Sequence, residues 1–302
     1  MDQPTTPTLS APTAEDLVAI PGAVPVIVRE RWTRRLWRTY VTDIRRETNA
    51  RASVSRGTDL RMALVFVTAA VSLTCNNFLS DGGHPQWLET VLRGLGLPGL
   101  ATRLDHAMLL SDNRDWNQLA FWAIVVVSCY VIPPVLLIKL VFRERVRDYG
   151  VRVRGILPHL REYAVLYAVA APLIIAASFT ASFQERYPFY HPPVAHSLWP
   201  YMYLWWALYA LQFCALEFFF RGFLLNGLVP RLGWASIFAM ALSYNMLHYG
   251  KPMPEALAAI VGAIVLGTLS LRTRSIWWGA ALHIAIAVTM DVCALGHMGR
   301  IF

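Results

Sequence analysis

The sequence predicts an all-α fold, a polytopic transmembrane helical bundle of about seven spans (six to eight). Three observations carry that reading. Of 302 residues, 56% are hydrophobic and 15% charged, with a mean hydropathy of +0.43, whereas a soluble domain carries charge on about a quarter of its residues. Long apolar runs recur along the chain, and the basic residues gather between them. The formal net charge, 27 − 19 = +8, first suggests a nucleic-acid partner. The placement of the arginines between apolar runs, and the lack of an aromatic-basic module, predict no nucleic acid and a lipid bilayer instead.

Residues 1–16 are rich in Pro, Thr and Ala. They lack a basic stretch followed by an apolar one, so they read as a disordered cytoplasmic tail rather than a cleavable signal peptide. The next segment is dense in arginine (Arg29, Arg31, Arg34, Arg35, Arg38, Arg45, Arg46, Arg51, Arg56), with Trp32, Leu36, Trp37 and Tyr40 interleaved. That pattern suits a helix lying on anionic headgroups, against a solvated charged linker as the competing reading.

Runs able to cross ~30 Å of hydrocarbon at ~1.5 Å per residue are Met62 to Leu79, Leu119 to Phe142, Tyr163 to Phe183 and Trp199 to Leu228. Shorter runs follow at Trp234 to Leu247, Ala256 to Leu271 and Ile276 to Leu295; the first two need a packed bundle around them. Between the first two spans, His84 to Leu110 is broken by Gly94, Gly96, Pro98 and Gly99, which predicts an interfacial or re-entrant piece able to hide an eighth span. The cysteines (Cys75, Cys129, Cys214, Cys293) lie within apolar stretches, where they read as buried thiols rather than disulfides or zinc ligands.

Arginines precede the first span and fill the second connection (Arg143, Arg145, Arg147, Arg152, Arg154, Arg161), while the first connection carries Asp81, Glu89, Asp105, Asp112 and Asp115. The positive-inside rule then predicts a cytoplasmic N-terminus. The organisation expected is a tail and Arg-rich segment over 1–58, accessory spans over 59–183 and a functional transmembrane core over 184–302. A polar cavity reached from a membrane face is expected within that core.

Ionisable groups inside hydrocarbon are costly and mark function by default. Glu217 and Arg221 are four apart on one helix face, where the cation supports an ionised carboxylate; the competing reading is an ion pair that only fixes packing. His248 closes Ser243-Tyr244-Asn245-Met246-Leu247-His248 and His283 lies in a later span, with Asp291 two turns beyond it. Counted from the Arg-rich ends of their spans, His283, Glu217 and His248 lie about 12, 17 and 21 Å deep. A carboxylate and an imidazole around one water form a general base, and a second imidazole or an amide stabilises an oxyanion. The same Glu217, His248 and His283 would also suit a zinc ion with an open fourth position. No cofactor is otherwise called for.

At these residues the chain resembles the CAAX protease and bacteriocin-processing (CPBP, or Abi) family of intramembrane endopeptidases, with motifs Glu-Glu-x-x-x-Arg, Phe-x-x-x-His and His-x-x-x-Asn. The resemblance spans about Arg147 to Leu295 and includes Arg147-Asp148-Tyr149-Gly150 and Arg221-Gly222-Phe223-Leu224. Here Leu216 stands at the first Glu, Tyr244 at the Phe and Ala287 at the Asn. The resemblance implies a hydrolase in which the first Glu activates water, cutting a membrane-anchored or C-terminally tagged polypeptide. With Leu216 and Ala287 in place, Glu217 and His248 are expected to activate water, Arg221 to orient Glu217, and His283 with Asn245 to hold the oxyanion. A catalytically inactive relative that binds or scaffolds a membrane partner is the alternative. The excess of Arg over Lys hints at a GC-rich bacterial genome, and an integral protein of the bacterial inner membrane is expected.

Overall fold

The computed structural model describes residues 32–80, 85–153, 156–192 and 198–301. The expected tail over 1–16, together with Arg29, Arg31, Asp81, His84 and Arg154, lies outside the described residues. Among the described residues the chain is helical throughout, with one isolated bridge between Val151 and Ser275 and no strand. The all-α polytopic bundle is therefore the observed fold.

Helix α1 (32–50) is the Arg-rich segment, with Trp32 and Trp37 exposed. Helix α2 (Arg56–Leu79) begins at a capping box, in which Ser55 and Thr58 satisfy each other's backbone amides. The broken segment that follows forms two short helices, α3 (Gln86–Gly94) and α4 (Pro98–Asp105). Each is shorter than the ~20 residues a span needs, so no eighth span lies there.

Helices α5 (Arg114–Val141) and α6 (Leu157–Ala177) are long and apolar enough to cross a membrane. Among the residues of α6 only Tyr163 is buried, so α6 turns the rest of its apolar surface outward as a peripheral span. It stops at Ala177, short of the Phe183 expected from hydropathy, where Thr180 Oγ1 caps the Ala177 carbonyl at 2.7 Å.

The central helix α7 (201–232) passes from α-helix into a π segment, Phe218–Leu224, and back. Phe219, Phe220, Phe223, Leu224, Leu225 and Leu228 are fully buried, as expected of a helix apolar on all sides. At Gly233, whose φ of 53° is open to glycine without a Cβ penalty, the chain reverses. The returning helix α8 (Ser236–Met246) lays Tyr244 against Phe220, with ring centroids 5.2 Å apart. The long apolar stretch Tyr201–Met246, one of six such stretches among the described residues, is thus two antiparallel legs. The return leg is only 11 residues, so it reaches about half the bilayer. Helices α9 (Met253–Thr273) and α10 (Trp277–His297) complete the bundle.

The Arg-rich ends of the spans meet at one end of the bundle. Arg61 makes a two-pronged contact with Glu144 at 2.8 and 2.9 Å and reaches the Tyr149 hydroxyl at 2.6 Å. Arg231 pairs with Asp59, and Arg272 with Glu162 at 3.4 Å. Helix α1 closes over this end: Tyr40 donates to Glu162 at 3.3 Å, and Asn49 accepts the Trp234 amide at 2.8 Å beneath the Gly233 turn. The opposite end is aromatic, built on Trp116, Trp205, Tyr201 and Tyr190.

Candidate active site

The site begins in the π segment of α7. A π turn is costly and recurs at functional positions because it re-aims side chains. Here its loosened carbonyls are held by the Asn226 amide, which donates to Arg221 O at 2.8 Å and Gly222 O at 3.0 Å. Gly222 is where the 146–150 segment packs: a Cβ there would sit 2.6 Å from the Tyr149 carbonyl oxygen. The Tyr149-Gly150 and Arg221-Gly222 pairs noted in the sequence are therefore two halves of one contact.

Glu217, at the junction of α and π helix, is 1% exposed and Arg221 is 0% exposed, so neither charge sees solvent. Their Oε1 and Nη1 atoms are 2.9 Å apart, the pairing that a buried charge requires. Helix α10 brings His283 Nδ1 to 3.0 Å from the same Oε1. It comes this close because Gly279, one turn earlier on the same face, presents no side chain to the carboxylate: a Cβ would lie 2.5 Å from Glu217 Oε2. On its other side the His283 ring stacks on Phe213, 5.5 Å between centroids and nearly coplanar at 3°.

Helix α8 closes the ring. The Tyr244 hydroxyl is 3.2 Å from His283 Nε2, and the Arg221 guanidinium lies over the Tyr244 ring at 4.2 Å. Glu217, Arg221, Tyr244 and His283 thus form a closed loop of opposite charge, imidazole and phenol. Contact with the carboxylate on the Nδ1 side favours the Nδ1–H tautomer, which leaves Nε2 to accept from the phenol.

His248 sits one turn beyond Tyr244, its ring 4.9 Å from the Tyr244 ring and its Nδ1 3.4 Å from the Tyr244 carbonyl. The structure therefore joins Glu217, Arg221 and His283 directly and sets His248 behind Tyr244. Asn245 points elsewhere on α8, its buried Oδ1 without a hydrogen-bond partner among the described residues. Asp291 is buried against Trp206, whose Nε1 donates to it at 3.0 Å, and takes no part in the loop.

Sequence reasoning did not single out Tyr244 or Gly279 as site residues. The signals were present: Tyr244 is four residues before His248, and Gly279 four before His283, each on the same helix face.

The contacts of Glu217 are close but not aligned as full hydrogen bonds. Glu217 Oε1, all three Arg221 nitrogens and His283 Nδ1 keep hydrogen-bonding capacity that no described residue meets. Such buried, unsatisfied polar atoms call for an explanation in terms of function, water or ligand. Among the described residues no three His, Cys, Asp or Glu side chains converge to hold an ion, and Arg221 faces the carboxylate of Glu217. Two clefts at the Arg-rich end are lined by neither Glu217, His248 nor His283.

A helical bundle with six stretches long and apolar enough to cross a membrane, and an ionisable cluster buried between its core helices, defines a polytopic membrane protein with a buried polar site. Residues 197–289, which contain every member of that cluster, match the model of a family described as type II CAAX prenyl endopeptidase Rce1-like. Over these 93 of 302 residues the chain is similar to that family. No curated protein and no solved structure matches the chain.

Proposed function

We propose that the chain is an intramembrane endopeptidase that hydrolyses a peptide bond of a membrane-anchored or C-terminally tagged polypeptide, without a metal. The observation that carries the proposal is the buried guanidinium with three unsatisfied nitrogens beside a carboxylate and an imidazole. Backed by Glu217 at Nδ1, and once the Tyr244 hydroxyl turns from Nε2 to the substrate, His283 Nε2 takes a proton from water while the water oxygen bonds to the carbonyl carbon, in the manner of a carboxylate-oriented histidine base. Arg221 and the Tyr244 hydroxyl face the oxygen that gains charge. Collapse breaks the C–N bond, and the leaving nitrogen receives the proton held by the His283 imidazolium. The Arg-rich end faces the cytoplasm of a bacterial inner membrane, as the positive-inside rule requires.

Comparative proteomics of membrane peptides from cells with and without the gene tests the activity. A peptide family lost with the gene and restored by wild type but not by His283→Ala supports it, and an unchanged peptide set refutes it. Chelation should leave processing intact; loss on chelation with recovery on added zinc would replace the metal-free scheme.

One observation favours a second reading. Leu216, at the place of the family's first Glu, is packed in the core at 7% exposure, and Ala287 is buried at 6%, so Glu217 stands without a neighbouring carboxylate or a following amide. An inactive relative that binds a membrane polypeptide would keep the cluster for packing alone and show partner enrichment without cleavage.

A further inference from the structure

At the Arg-rich end, where α5 finishes, an open cleft of about 460 Å³ is lined by Lys139, Arg145, Val146 and Arg147. The three cations are exposed, and among the described residues none has an acidic partner. The segment from Lys139 to Arg152 contains two acids, and both are taken: Glu144 by Arg61 and Tyr149, and Asp148 by Arg152. Positive charge is thus left uncompensated around one concavity.

A second observation lies in the backbone. Helix α5 ends with the Glu144 amide bonded to Ile138 O at 3.0 Å, across a left-handed residue at φ 55°. This is a helix stop that ordinarily takes glycine, and here the residue is Arg143. A third observation is the surface that leads to the cleft. Ile132, Leu136 and Leu140, spaced by four along α5, are 53%, 50% and 68% exposed. They form an outward apolar strip that runs up to the cations.

We propose that this cleft is a binding site for the phosphate of an anionic glycerophospholipid, with an acyl chain laid along Ile132, Leu136 and Leu140. The arrangement matches the ligand end to end: cations at headgroup level, apolar strip at chain level, and no carboxylate between them. A free phosphate would satisfy the cations but gain nothing from the strip, so the membrane lipid is the occupant the geometry favours.

Native mass spectrometry of the purified full chain with phosphatidylglycerol, phosphatidylcholine or inorganic phosphate reads the site. Phosphatidylglycerol should bind at least tenfold tighter than phosphatidylcholine. The Lys139→Gln/Arg145→Gln/Arg147→Gln variant should lose about a hundredfold, at roughly fivefold per basic side chain near an anionic surface. A control with as many cations removed away from the cleft and from α1, Arg103→Gln/Arg114→Gln/Arg186→Gln, all exposed, and the charge-keeping Arg145→Lys/Arg147→Lys variant should bind within a few fold of wild type. Equal loss in either of these overturns the site, as does unchanged binding in the triple cleft variant. Inorganic phosphate competing as well as the lipid would overturn the lipid as occupant.

Discussion

Replacing Gly279 by alanine tests the packing that builds the site. The added Cβ would meet Glu217 Oε2 at 2.5 Å and Cδ at 3.1 Å, where ordinary contact begins near 3.4 Å. The overlap with the oxygen is therefore 3.4 − 2.5, about 0.9 Å. Glu217 is 1% exposed, so the carboxylate cannot swing into solvent; either it moves by that amount against Arg221 and His283 or α10 shifts outward. Overpacking of this kind costs about 1–3 kcal/mol. A matched control exists on α9, where a Cβ on Gly262 meets nothing within 4 Å. Both substitutions gain the same helix propensity, about 0.5–1 kcal/mol, so the difference between them isolates the overlap. Thermal unfolding in detergent, followed by tryptophan fluorescence, should place Gly262→Ala at or above wild type and Gly279→Ala several degrees below Gly262→Ala. Processing in cells should fall about a hundredfold for Gly279→Ala, the usual effect of a 1 Å misplacement, and stay unchanged for Gly262→Ala. If the two variants melt together and both process normally, Gly279 does not carry the carboxylate contact.

Other perturbations probe the remaining contacts. Glu217→Gln or Arg221→Gln alone strands a buried opposite charge, a loss of about 3–5 kcal/mol, and should reduce accumulation; the double variant should recover accumulation without processing, as immunoblots and peptide analysis will show. Tyr244→Phe keeps the ring beneath Arg221 but removes the hydroxyl from His283, so processing should drop about 10- to 100-fold, whereas Asn245→Ala should change it by less than about threefold, in the same assay. A larger loss for Asn245→Ala would return that amide to the site. At the Arg-rich end, hydrogen bonds from Arg61, joined by Tyr149, hold the Glu144 carboxyl below its ordinary value against the upward push of burial. A depressed carboxyl stabilises the fold above the unfolded value of about 4.3 and stops doing so as pH falls through the folded value. Melting of wild type should therefore drop more steeply than that of Glu144→Gln below about pH 4; parallel curves would contradict the assignment.

Much of the fold was legible because hydrocarbon imposes one strong rule, that a crossing chain must be apolar over its length and satisfy its own backbone. The break between Leu228 and Trp234 was visible for that reason, and it is where Gly233 reverses the chain. The π segment at Phe218–Leu224 left no such mark. Phe and Leu fit α and π turns alike, and the irregularity is held by Asn226 reaching back to two carbonyls, a contact no local pattern announces. The end of α6 was overrun for a similar reason: Ser178 and Thr180 cap carbonyls there, while the apolar residues on either side keep the hydropathy high to Phe183.

At the site, the charged members stood out because each is costly where it lies, and the cost is met by a partner, Arg221 for Glu217 and both Glu217 and Tyr244 for His283. Depth counting placed His283, Glu217 and His248 at neighbouring levels, but depth fixes height and not direction around the helix axis. Successive residues of a helix point about 100° apart. Once Tyr244 faces His283, Asn245 is turned away by that angle, and His248, in the turn after α8, packs against the Tyr244 ring at a tilt. Tyrosine and glycine are unremarked in an apolar run because neither carries a charge that must be met. Tyr244 and Gly279 gain their meaning only from what approaches them, a histidine nitrogen in one case and a carboxylate in the other. The cluster is therefore specified twice: by the charges that the membrane would otherwise expel, and by the small and amphipathic residues that let those charges meet at about 3 Å.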